Sequence, residues 1–103
     1  MIDALIKTLN LKWDITVNFV HDESESVADY MCDEDSGHII TVYLPSVAGD
    51  GRNIETILAH ELIHAWQEEN GHTDTHGASF KKAARRVAKK FNLPDVYLPD
   101  VDI

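Results

Sequence analysis

The sequence predicts an α+β domain: an N-terminal helix, a three-stranded and largely antiparallel sheet, a long buried helix and a C-terminal helix, with the helices packed on one face of the sheet. Three observations predict it. Trp13, Ile15, Val17 and Phe19 alternate with polar residues, the period of a half-buried strand. Residues 54–66 are apolar round most of a helical wheel. Phe80, Ala83, Ala84, Val87, Ala88 and Phe91 then recur at helical spacing. A chain of 103 residues has enough surface to bury for one core but not two, so residues 1–103 read as a single domain.

In chain order, Ile2, Leu5, Ile6 and Leu9 mark a first helix from about Asp3 to Asn10. The alternating strand follows, then a polar, turn-like stretch over residues 21–26. Val27 to Cys32 is a second strand, and Gly37 with the acids before it marks a hairpin turn. His38 to Leu44 is β-branched and aromatic, a third strand ended by Pro45. Gly49-Asp50-Gly51 is expected to be a flexible loop. Asn53 is placed to cap the next helix, with Glu55 in the first turn where the helix dipole favours an acid, and Asn70-Gly71 to end it. The last helix stops before Pro94. Residues 93–103 form an extended tail, in which Leu93-Pro94-Asp95-Val96 is echoed by Leu98-Pro99-Asp100-Val101.

The long helix carries His60-Glu61-Leu62-Ile63-His64. Residues four apart share a helix face, so His60 and His64 can aim two ring nitrogens at one point, with Glu61 about a quarter-turn away. On the wheel His60, Glu61, His64 and Glu68 fall within about 100° of each other, and apolar residues cover the rest. A polar stripe on so apolar a helix needs partners, because uncompensated polar burial costs several kcal/mol. HExxH provides them: two zinc ligands and a carboxylate that can take a proton from water.

An open zinc site needs a third protein ligand. No glutamate follows Glu69, and the HExxHxxGxxH extension would need Gly and His where Gln67 and Asn70 stand. His72 and His76 remain, with Asp74 as a weaker oxygen candidate. His21 and His38 read as ordinary surface or strand residues.

His60-Glu61-Leu62-Ile63-His64 followed by His76-Gly77-Ala78-Ser79-Phe80 resembles the SprT-like family of zinc metallopeptidases, which includes the Spartan proteases. That family pairs HExxH with a later His-Gly-x-x-aromatic motif. The resemblance implies a zincin-like minimal metallopeptidase, with Zn2+ on His60, His64 and His76, Glu61 as catalytic general acid/base, and a peptide or protein substrate. Residues around His76 suit the role: Phe80 and Ala84 can fix its approach to the metal helix, and Gly77 lets backbone come close. Peptidases of this type also present a strand edge to their substrate; the third strand, Ile40 to Tyr43, is the candidate here. Tyr43 and Tyr97 are the candidates for a second oxyanion donor.

Charge narrows the partners. The net charge is −9, yet Lys81, Lys82, Arg85, Arg86, Lys89 and Lys90 stand together with no acid among them. Binding of nucleic acid by the whole chain is disfavoured, and only this basic segment offers a contact. No apolar run is long enough to span a membrane. The first residues do not read as a signal peptide, and one cysteine, Cys32, can form neither an internal disulfide nor a cysteine zinc site. The expected location is cytoplasmic, with Cys32 packed as a small apolar residue. The alternatives are a zinc domain without turnover, or a nucleic-acid-associated protein using residues 81–90.

Overall fold

The computed structural model describes residues 2–51 and 53–98. Its elements are α1 (Ile2–Thr8), β1 (Ile15–Val20), β2 (Ala28–Asp33), β3 (Gly37–Tyr43), α2 (Leu44–Asp50), α3 (Ile54–Glu69) and α4 (Ala78–Phe91). The α+β layout is the expected one, and α3 falls where its caps place it. Asn53 accepts a hydrogen bond from the Thr56 N–H at 2.8 Å, and the chain leaves α3 through Asn70 and Gly71, the latter at φ +72°.

The sheet order is β1-β3-β2. β2 and β3 form an antiparallel hairpin, while β1 pairs with β3 in parallel, so the sheet is mixed. Alternation sets which face each side chain takes but not which neighbour its strand chooses, so the parallel pair has no signal in the sequence. β3 is therefore central, with both edges paired, and cannot be the substrate-docking edge expected of it. Gly37 turns the hairpin at φ +77°; a Cβ there would overlap the Asp14 carbonyl, which accepts the His38 N–H at 2.8 Å.

Register puts His38, Ile40 and Val42 of β3 on one face with Ile15 and Val17 of β1 and Ala28 and Tyr30 of β2. That face packs against α3. Leu5, Ile40, Ile57, Leu62, Ile63, Phe80, Val87 and Val96 are fully buried between the layers. Cys32 shares the register of this face but lies at the strand end and is exposed, contrary to the expectation that it packs inside.

Leu44–Asp50, expected to be a strand end and loop, is a helix. Pro45 sits in its first turn, where the missing N–H has no intrahelical acceptor to lose, and Gly51 closes it at φ +83°. Residues 93–98 lie along the domain, with Val96 fully buried and Leu93, Tyr97 and Leu98 against the core. The second half of the Leu-Pro-Asp-Val echo, from Pro99 on, lies outside the described residues. Among the described residues no helix is long and apolar enough to cross a membrane.

Candidate metal centre

α3 brings its polar stripe to the inside of the fold. His60 and Glu61 are fully buried and His64 is 8 % exposed. The link after α3 turns back so that His76 faces them from just before α4. His60, His64 and His76 each offer a ring nitrogen, and these atoms lie within 4.8 Å of one another, a group that can hold a metal ion. His60 Nε2 and His76 Nε2 are 3.3 Å apart. The three rings surround the Phe80 ring, with centroids 4.7, 4.7 and 5.1 Å from it. One aromatic side chain thus forms an apolar floor beneath all three imidazoles.

Hydrogen bonds to the far ring nitrogens orient two of these rings. His60 Nδ1 lies 3.0 Å from the Val96 carbonyl, which only accepts, so Nδ1 carries the proton and Nε2 keeps its lone pair for the cluster. His64 Nδ1 lies 2.9 Å from Gln67 Oε1. The amide is oriented by its other end: Gln67 Nε2 donates to the Thr75 carbonyl at 2.8 Å and to Ser79 Oγ at 3.0 Å. His64 Nδ1 is therefore also the protonated nitrogen. Gln67 fixes one imidazole directly and ties α3 to the turn that carries another.

That turn is built around Asp74. Its carboxylate accepts both the hydroxyl and the backbone N–H of Ser79, the latter at 2.8 Å, and these bonds, the hydroxyl's first, hold its carboxyl below the usual range. Gly77 passes so close that a Cβ would sit 2.9 Å from Asp74 atoms. Thr75 takes φ +47°, a left-handed conformation unusual for a β-branched residue, and its carbonyl meets Gln67. Tyr97 donates its hydroxyl to the His76 carbonyl at 2.9 Å.

The other candidates lie elsewhere. His72 is exposed and its ring packs on Trp66, with centroids 4.8 Å apart; Asp74 is committed to Ser79. His21 is exposed. Tyr43 donates to Asp29 at 2.6 Å, on the sheet face opposite His38, and this bond raises its pKa. The six basic side chains of residues 81–90 are all exposed.

His38 is a strand residue of β3, one of the two places expected for it, but not an ordinary one. It is fully buried, with Nε2 2.7 Å from Glu69 Oε2 and Nδ1 2.7 Å from the Tyr30 hydroxyl. Burial pulls the Glu69 carboxyl upward, but hydrogen bonds from the His38 ring and from the Lys12 and Trp13 N–H groups outweigh it and hold the carboxyl below its usual value. Burial pushes the Tyr30 phenol far up, so it keeps its proton. Tyr30 stacks near His64, centroids 6.2 Å apart, and both line a cavity of about 330 Å3 together with Gln67, Glu68, His72 and Thr75. His38 had a signal in the sequence, since its spacing puts it on the face of Ile40 and Val42. Val96 had none, because a backbone carbonyl carries no residue identity.

A family model describing the SprT-like family matches residues 40–98. The chain belongs to the SprT-like family. No match was found among curated proteins or among solved structures. The SprT-like segment runs from β3 to Leu98 and so contains all three imidazoles, Glu61, Gln67 and Val96. Tyr30 and His38 lie before it.

Proposed function

We propose that this chain is a zinc-dependent peptidase acting as one domain over residues 1–103, with His60, His64 and His76 as zinc ligands and Glu61 as general acid/base. The observation that carries this reading is the convergence of three imidazoles from α3 and the turn before α4, beside a buried carboxylate. The donor set fits zinc. Tetrahedral bonds of 2.0–2.1 Å put neighbouring ligand nitrogens about 3.3 Å apart, the separation of His60 Nε2 and His76 Nε2.

Zinc bound there supplies Lewis acidity, lowering the pKa of water toward ~7 and polarising the scissile carbonyl. The Glu61 carboxylate takes a proton from the water that adds to the carbonyl carbon. It then gives that proton to the amide nitrogen as the C–N bond breaks, leaving an amine and a carboxylic acid whose remaining proton is lost to solvent or to the amine. The His60 and His64 rings are held ready by Val96 and Gln67, so little reorganisation accompanies the reaction. The substrate strand adds to β2, at one margin of the sheet and beside His64, not to β3. The exposed single thiol of Cys32 suits a reducing compartment such as the cytoplasm.

Metal analysis and cleavage of fluorescein-labelled casein test the reading. The wild type is expected to carry zinc and cleave; Glu61→Gln keeps zinc and loses cleavage; His76→Ala loses zinc. Zinc retained without any cleavage would leave a structural zinc domain. Zinc unchanged in His76→Ala would remove the ligand assignment.

A second reading adds nucleic-acid contact through Lys81, Lys82, Arg85, Arg86, Lys89 and Lys90. It is favoured by a cavity of about 520 Å3 whose lining combines Trp66 with Lys82 and Arg86, an aromatic surface beside phosphate-binding charges. Binding of single-stranded DNA that falls with salt and is lost on Lys/Arg→Glu changes at 82, 85 and 86 is the expected result.

A further inference from the structure

Tyr30 joins the open edge of β2 to the imidazole cluster. The Tyr43 N–H donates to the Val27 carbonyl at 3.0 Å, which makes 27 and 43 a bonded pair of the antiparallel ladder. Bonding alternates along such a ladder, so 29, 31 and 33 also face β3, while Ala28, Tyr30 and Cys32 turn their N–H and C=O groups to the open edge. A peptide strand added to β2 therefore meets the backbone of Tyr30. The Tyr30 side chain lies in the wall of the cavity beside His64.

The hydroxyl of Tyr30 is anchored in depth. Glu69 accepts from the N–H groups of Lys12 (2.8 Å) and Trp13 (3.1 Å) as well as from His38. A carboxylate so surrounded by donors is ionised, so His38 Nε2 carries the proton and Nδ1 accepts the Tyr30 O–H. Every proton in the chain Tyr30–His38–Glu69 then has one direction. An apolar side chain in place of His38 would fill the space without a desolvation cost, but it would not fix β2 at a set distance from the last turn of α3.

We propose that Tyr30, held by His38 and Glu69, is a positioning residue that fixes the open edge of β2 against the imidazole cluster, so that a docked peptide strand arrives beside His64. This rests on the strand-docking part of the function proposed above. Tyr30 and His38 precede the matched segment, residues 40–98.

The test uses the zinc-loaded full chain and its Glu61→Gln form, with fluorescein-labelled casein as probe. Tyr30→Phe removes one hydroxyl and keeps the ring. Casein binding by the Glu61→Gln protein, read by anisotropy, is expected to weaken about tenfold. In the active protein KM rises by a similar factor, kcat stays within about twofold, and zinc content is unchanged. Glu69→Gln gives the same loss, and the two changes together cost no more than either. Glu69→Gln serves if Tyr30→Phe does not fold; Cys32→Pro removes an N–H from the open edge and none from the ladder, and also the thiol that hydrogen-bonds to the Tyr30 hydroxyl, so it weakens binding too. A lowered Tm with unaltered binding and KM in Tyr30→Phe would overturn the inference. Casein binding that depends on Tyr30, with no cleavage by the wild type, keeps the inference and removes the peptidase reading. Cleavage indifferent to Tyr30 does the reverse, and neither binding nor cleavage removes both.

Discussion

Replacing Gln67 by Met should weaken metal binding at a site to which Gln67 contributes no ligand atom. Met keeps the volume of a side chain that is only 4 % exposed and removes its polar atoms. The acceptor for His64 Nδ1–H is lost, and so are the donations to Thr75 and Ser79. Loss of the group that orients a ligating imidazole lowers metal affinity 10- to 100-fold, about 1.4–2.7 kcal/mol. Three lost hydrogen bonds at about 1 kcal/mol each lower the stability of the metal-free fold by about 3 kcal/mol. Gln67→Glu separates these effects, because it keeps an acceptor for His64 and loses both donations. It should retain most of the affinity and lose about 2 kcal/mol of metal-free stability. Zinc competition against a chromophoric chelator reads the first quantity, and urea denaturation of metal-free protein the second. Wild-type zinc affinity in a folded Gln67→Met protein would refute the reasoning.

Gly77→Ala should displace the turn around Asp74, because the new methyl meets Asp74 at 2.9 Å; the expected result is weaker zinc binding with unchanged helix content by circular dichroism. Asn53→Ala removes the cap of α3 and should lower stability by about 1 kcal/mol in urea denaturation. Glu69 and Asp74 have folded pKa values below their ordinary 4.5 and 3.8, so the stability they add is full above those values and is lost as pH falls through the lower folded ones. Acid titration of metal-free protein should show this loss shrink in Glu69→Gln and in Asp74→Asn.

The elements that helical spacing controls were legible. The period of α3 puts His60 and His64 on one face, and its capping residues stand where the helix begins and ends. Spacing also puts His38 with Ile40 and Val42, yet whether such a position is wet or buried depends on α3 and Trp13 closing over it, which is tertiary information. α2 was hidden because Pro45, Gly49 and Gly51 suit a loop as well as a short helix whose proline falls in its first turn. The edge role assigned to β3 failed for a related reason: alternation describes a strand's two faces and is silent about its two sides. Gln67 stands three residues after His64, at a spacing that lets the two side chains meet, but only the returning turn shows what its amide nitrogen holds.

The Val96 carbonyl that orients His60 has a consequence for when this protein acquires its chemistry. Thirty-six residues of sequence separate His60 from that oxygen, and the whole of α4 lies between them. A nascent chain that has emerged only as far as α4 presents all three histidines but leaves one of them unsteadied. Synthesis itself then delays completion of the imidazole cluster, and a truncated translation product carries the motif without the finished centre.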